Sequence, residues 1–302
     1  GGFRLARRWG MSDPRSGLLV NLLVSPLRTH EAPQAARFHS ELRPGDVVVG
    51  DRGFASYAHL ALLSQRKLYG LFRVHQRQLV SFRQDRKLTG KRPRGTAALY
   101  AKSRLIRKLG KYDQLVEYQK PQQRPSWMSP DEFAALPDSL VVRELRFRTK
   151  IKGCRTREIT LVTTLVDPER YPESELIALY RTRWQVETNF AHLKTTMQMD
   201  VLRCQTVDGV LKELHVFALV YNLTRLVMLS AASTQRVPVT RVSFVAALRW
   251  LASPPSQDTP LILPVNPARP NRYEPRVRKR RPKQYPLMKV PRCKLRQQLA
   301  QQ

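Results

Sequence analysis

The segment 176–200, LIALYRTRWQVETNFAHLKTTMQMD, constrains this chain more tightly than any other. Leu179, Val186, Phe190, Leu193 and Met197 fall on one side of a single predicted helix and form its core face. A polar stripe runs beside them. At about 100° per residue, Tyr180, Arg183, Glu187 and Lys194 project at roughly 0°, 300°, 340° and 320°. One carboxylate therefore sits at the edge of a core, flanked along the helix by two cations and a phenol. That grouping suits a metal ion beside a phosphodiester. The plainer alternative is an i, i+4 ion pair between Arg183 and Glu187 on a solvated helix, worth only a few tenths of a kcal/mol.

A second anchor lies upstream. Val47, Val48 and Val49 form a β-branched run that predicts a short strand buried on both faces. It ends at Gly50-Asp51-Arg52-Gly53, and a helix over about 57–67 and a strand over about 69–74 follow. The strand–helix–strand order predicts an α/β fold. Asp51 then stands at the C-terminal end of a central strand, where ligands of α/β sheets bind. Gly53 frees the backbone to turn there. The alternative for Asp51 is a turn or N-cap aspartate.

The remaining elements follow from patterning. Residues 18–24 read as a buried strand with 3–9 as its hairpin partner, and 31–42 as helical. From 75 to 167 the chain turns β-rich, with proline and basic clusters around 83–95 and 119–130. Strands are predicted at 78–82, 114–117, 140–147 and 158–166, and helices at 173–197, 207–232 and 242–251. Past about 254 proline is frequent and apolar periodicity ends. The basic run Arg276, Arg278, Lys279, Arg280, Arg281 and Lys283 predicts a disordered tail that binds nucleic acid without sequence preference. A merely solvated charge run is its plainer alternative.

The formal net charge of the 302 residues is +31, which opposes compaction unless a polyanion is met. Nucleic acid is the implied partner. A membrane is disfavoured, because no long apolar run and no basic amphipathic helix with an exposed apolar face stands out. Cys154, Cys204 and Cys293 are far apart and form no CxxC pair, which argues against disulfides and structural zinc and for a reducing, cytosolic setting. The opening GGFRLARRWG has no apolar h-region and no initiator Met, so the chain is expected to begin inside a longer protein.

Asp51-Arg52-Gly53-Phe54 followed by Tyr180-x2-Arg183-x3-Glu187-x6-Lys194 resembles the insertion-sequence transposases with an Asp-Asp-Glu triad, of the "insertion sequence four" type. That family's signature is Tyr, Arg, Glu and Lys at this spacing, and the resemblance covers about residues 1–250. It implies an RNase H-like core interrupted by a β-rich insertion. Residues 1–74 would be the first part of the core without its first strand, 75–167 the insertion, 168–252 the C-terminal helices of the core and 253–302 a Pro-rich basic tail. Asp51 would match the second aspartate and Glu187 the glutamate, both ligands in a two-metal site for Mg2+ or Mn2+. Tyr180, Arg183 and Lys194 would contact DNA near a cleaved transposon end. The implied activity is cleavage and strand transfer on double-stranded DNA by a homodimer in a bacterial cytoplasm.

One departure matters. The family's first aspartate has no match: Asp13 lies in the turn-like MSDPRSG, and Asp46 follows Pro44-Gly45 at the start of the valine strand. A site with two of three carboxylates, and impaired activity, is therefore expected. The competing readings are a non-catalytic DNA-binding remnant and, from charge alone, an RNA-binding protein of ribosomal type. Trp184 and Trp127 are read as packed rings, with base stacking the alternative for Trp127. His192 reads as a packing or surface histidine, and His59 and His75 lack metal-ligand spacing.

Overall fold

The structure, a computed structural model, describes residues 6–26, 31–75, 78, 80–83, 102–149, 158–204, 206–253, 259–267, 290 and 292–301. Strands β1 (Ala6–Ser12) and β2 (Leu19–Pro26) pair antiparallel as a hairpin. Asp13 closes its turn by accepting from the backbone N–H of Arg15 and Ser16 at 3.1 and 2.9 Å. Gly17 adopts a φ of +73°, which a side chain would resist.

Helix α1 (Glu31–Arg37) runs into a 3-10 turn over Phe38–Glu41. Strand β3 (Val47–Gly50), a 3-10 turn (Arg52–Phe54), helix α2 (Tyr57–Gln65) and strand β4 (Tyr69–Arg73) follow. Then come β5 (Ser103–Gly110), β6 (Asp113–Gln119), α3 (Pro130–Ala134), β7 (Ser139–Arg148) and β8 (Glu158–Thr163). The six strands β3 to β8 form one sheet in the order β3-β4-β8-β7-β6-β5. Only β3 and β4 are parallel; β8 joins β4 antiparallel, so the β-rich segment continues the sheet begun by the strand–helix–strand unit.

The helices α4 (Glu173–Thr182) and α5 (Trp184–Ala191) lead into a π turn (His192–Thr196), then α6 (Val207–Gln235), α7 (Phe244–Ala252) and α8 (Arg292–Ala300). The fold class is mixed α/β, as expected. Strand alternation explains how the layers assemble. On β4, Phe72 packs in the cluster with Leu60 and Leu63 of α2, while Leu71 packs in the cluster with Leu176 and Tyr180 of α4. A third cluster joins the hairpin to the helices through Leu19, Leu22, Leu193, Tyr221, Met228 and Phe244. Arg143 clamps the sheet to the entry of α4. Its Nε donates to Asp113 at 2.8 Å, its Nη2 to the other carboxylate oxygen, and its Nη1 to the Tyr171 carbonyl at 2.6 Å.

Several expectations need correction. The valine strand is at the edge of the sheet, and Val47, Val48 and Val49 are only half-buried. β-branching favours a strand but does not say how many neighbours it finds. The helix over 173–197 breaks at Arg183. There, 3-10-type bonds tighten the chain, from Arg183 N–H to the Tyr180 carbonyl at 3.2 Å and from Val186 N–H to the Arg183 carbonyl at 3.1 Å. Residues 78 and 80–82 form no strand, and β5 and α3 were not foreseen. Within the tail, 292–300 is helical, while Arg276, Arg278, Lys279, Arg280, Arg281 and Lys283 lie outside the described residues. Finally, α6 is a long apolar run, with a mean hydropathy of 1.5 over a membrane-length window. It packs Leu214, Tyr221 and Met228 inward and leaves Val216, Leu219 and Leu226 exposed.

Candidate active site

Asp51 heads the 3-10 turn between β3 and α2, and the Phe54 N–H donates to its carbonyl at 3.0 Å. Its side chain caps nothing; Ser56 caps α2 instead, accepting from His59 N–H at 3.2 Å. Asp51 Oδ1 is buried and has no hydrogen-bond partner among the described residues. Asp51 thus stands at a turn as its plainer alternative has it, but its carboxylate does not cap that turn, whereas those of Asp13 and Asp46 accept backbone N–H groups of theirs, Asp46 from Arg43 at 2.8 Å.

The turn is held from behind by a histidine pair. His59 Nδ1 lies 2.8 Å from the Phe54 carbonyl, and His39 Nε2 lies 2.8 Å from His59 Nε2. A carbonyl only accepts, so His59 Nδ1 carries the proton, and His39 Nε2 donates to the bare His59 Nε2. Burial lowers His39 to about 3 and His59 to about 4, so both are neutral near pH 7. Gly50 allows close approach here, since a Cβ would meet the Phe54 and Phe72 rings at 2.9 and 3.0 Å.

Tyr180 is 5 % exposed and packs against the sheet. Burial raises its hydroxyl pKa, Asp51 adds to the rise, and Arg183 and Arg73 oppose it. Arg183 Nη1 donates to Glu187 Oε1 at 3.2 Å. Burial alone would lower the Arg183 guanidinium; Tyr180, Asp51 and Glu187 outweigh it and hold the pKa above its ordinary value. Arg183 Nε is buried and has no hydrogen-bond partner among the described residues. The structure therefore gathers Asp51, Tyr180 and Arg183, and reaches Glu187 through Arg183.

Lys194 is not part of that gathering. It sits on the π turn, is exposed, and lies over the Phe190 ring at 5.5 Å. A π turn changes the angle per residue and shifts Lys194 from its expected α-helical phase. Trp184 is 59 % exposed, so the core-packing expectation is corrected; Arg183 lies over its ring at 5.5 Å. Trp127 packs at the edge of the α2 cluster, and His192 meets the Phe244 ring at a tilt, with centroids 4.2 Å apart, both as packed rings.

Arg73 was missed. The parallel register pairs Gly50 with Phe72, so the next residues, Asp51 and Arg73, stand level at the strand ends. A basic residue closing the second strand of a parallel pair was the available signal.

A divalent metal would find oxygen donors here. The buried Asp51 Oδ1 and the half-exposed Glu187 carboxylate fit a hard cation. Among the described residues no group of three or more His, Cys, Asp or Glu side chains comes together as a metal site.

Residues 9–223 match the family model for the transposase DDE domain. The chain belongs to that family. The transposase domain takes in most of the hairpin, the whole six-stranded sheet, both acids and most of α6. Over 130 residues the chain is 35% identical to transposase InsG for insertion sequence element IS4 of Escherichia coli (strain K12), covering 42% of this chain and 27% of that protein. The "insertion sequence four" resemblance read from the motif is borne out, and the matched region spans about a quarter of that relative's length. A solved structure, the cryo-EM structure of piggyBac transposase synaptic complex with hairpin DNA, aligns with a TM-score of 0.37 at 13% identity, over 83% of this chain and 48% of that one.

Proposed function

We propose that this transposase domain performs phosphoryl transfer on double-stranded DNA, with Asp51 and Glu187 as two carboxylates of a Mg2+ or Mn2+ site in an RNase H-like core. The observation that carries this is Asp51 Oδ1, buried at a strand end without a hydrogen-bond partner among the described residues, beside a tyrosine and an arginine linked to the second acid. A bound divalent cation would activate the attacking oxygen and stabilise the leaving one. Arg183 offers a guanidinium to phosphate oxygens, and the Tyr180 hydroxyl offers one more hydrogen bond. Lys194 and the basic run with Arg278, Lys279, Arg280 and Arg281 would hold DNA further from the reacting phosphate.

The third carboxylate would arrive on a further strand. Among the described residues β3 has β4 on one side and no strand on the other, and its half-buried valines suit a partner there. In this reading 1–74 and 168–252 build the core, 75–167 is the insertion, and two copies act together on DNA. A two-carboxylate site binds metal poorly, so residues 1–302 alone are expected to cleave little DNA. The second reading, a non-catalytic DNA-binding remnant, is favoured by the same two-donor set. The gene sequence before Gly1 separates them: an in-frame aspartate on a strand-like run favours the enzyme.

The direct test uses a version extended to carry that aspartate. Glu187→Gln should abolish Mg2+-dependent cleavage of a cognate end and leave DNA affinity within about twofold, since one uncharged amide replaces one carboxylate of similar shape. Undiminished cleavage would remove Glu187 from the site.

A further inference from the structure

The outer side of α6 carries an apolar seam that the described residues leave uncovered. Val216, Leu219, Leu223 and Leu226 are 39–59 % exposed, and none of them joins a core cluster. At about 100° per residue they fall within roughly 80° of arc. Their 3-4-3 spacing is the seam along which two helices pack side by side. The opposite side of α6 is already taken, with Leu214, Tyr221 and Met228 in the core.

Charge and register select what covers it. The chain carries a net +31, so two copies repel wherever their cations face each other. From Leu214 to Gln235 the one Lys, Arg, Asp or Glu is Arg225, and it is turned inward, its Nε donating to the Ser16 carbonyl at 3.1 Å. This face therefore admits a second copy without that repulsion. The spacing is also symmetric about position 221. In an antiparallel pair related by a two-fold axis, Val216 meets Leu226 and Leu219 meets Leu223. The same register sets exposed Lys212 opposite Ser230 and exposed Asp208 opposite Thr234, so no like charges oppose. The four side chains offer roughly 200–400 Å² of apolar surface per copy. A standard interface takes about 800 Å² per partner. A helix of 29 residues is about 43 Å long, and its polar flanks supply the remainder as a rim.

We propose that α6 is a self-association face, through which two copies of this chain pair antiparallel in the absence of DNA. The pairing needs neither a bound duplex nor the phosphoryl-transfer reading.

The test is sedimentation equilibrium of the nuclease-treated 302-residue chain up to about 100 µM, in about 0.5 M salt to screen the net charge. A reversible dimer is expected, with a dissociation constant on the order of 1–100 µM for so small an apolar centre. Leu219→Glu should weaken it at least about tenfold, and so should Leu223→Lys, each with unchanged circular dichroism because both side chains are exposed. Combined in one chain, the two substitutions set Glu opposite Lys across the two-fold axis and should restore the dimer to within about threefold of wild type. In a parallel pair like charges would meet instead, so a double variant that stays monomeric would overturn the antiparallel pairing. A monomeric wild type, or a dimer that neither single substitution weakens, would overturn the face itself. A wild type that is monomeric but floats with phosphatidylcholine vesicles would give the seam to a lipid surface, and the pairing would be wrong.

Discussion

Asp51 and Arg73 end two adjacent parallel strands at the same level, one residue past the Gly50–Phe72 pair. Tyr180 feels both, as it feels Arg183, and Arg183 in turn holds Glu187 at 3.2 Å. The two acids of the candidate site are thus set among guanidiniums from a strand end and from a helix break. A carboxylate pair meeting a polyanion needs such cations to offset repulsion between phosphate and carboxylate.

Trp184 separates a surface ring from a core ring. At 59 % exposure, Trp184→Ala should change unfolding free energy by less than about 0.5 kcal/mol in urea titration. A loss of about 3–5 kcal/mol would mean the ring is packed after all. If DNA bases stack on it, duplex or single-strand affinity should fall by about 1–3 kcal/mol.

The Arg143–Asp113 pair is buried, with side chains 2 % and 6 % exposed. Asp113→Ala leaves a guanidinium without its counter-charge, and should cost about 3–5 kcal/mol in urea unfolding. Replacing both residues by apolar ones of similar volume should cost far less. Equal losses in the single and double variants would contradict the clamp.

Acid should weaken the fold through the histidine pair. His39 and His59 titrate at about 3 and about 4 when folded, below the ordinary 6.5. Between those values the unfolded chain binds more protons, so stability rises with pH. The contribution is fully present above about 6.5 and is lost as pH falls through 4 and 3, on the order of 3–5 kcal/mol per histidine. The urea midpoint should therefore drop from pH 7 to pH 4.5, and the drop should shrink in His39→Gln. An unchanged pH slope in that variant would show that His39 does not titrate with folding.

The hairpin is fastened to α6 by polar contacts. The Asn222 amide brackets Leu19, accepting from its N–H at 2.8 Å and donating to its carbonyl at 2.9 Å, and Tyr221 Oη donates to the Gly17 carbonyl at 2.8 Å. Arg225 lies against Gly17, where a Cβ would collide with the guanidinium at a φ of +73°. Gly17→Ala should cost more than about 1 kcal/mol, and Asn222→Ala about 1–2 kcal/mol, in thermal unfolding. A neutral Gly17→Ala would mean the hairpin docks differently.

The elements that carry both acids were legible because local chemistry marks them. A β-branched run made β3, and the apolar face of Leu179, Phe190 and Leu193 ran through the break at Arg183, hiding it. Whether β3 is central or at an edge depends on pairing with strands far away in sequence, which periodicity does not record. Strand β5 escaped because SRLIRKLG is an edge strand, whose basic residues read as a loop. The exposure of Trp184 was legible in its helical angle, about 40° and away from the apolar face. Arg73 became visible only through the parallel register.

The proposed chemistry requires that Asp51 and Glu187 act together on a divalent cation. Mn2+ titration of the 302-residue chain, followed by electron paramagnetic resonance at neutral pH, tests it most directly. Weak binding by the wild type should be lost in both Asp51→Asn and Glu187→Gln, with circular dichroism unchanged. Mn2+ binding that survives both substitutions would contradict it.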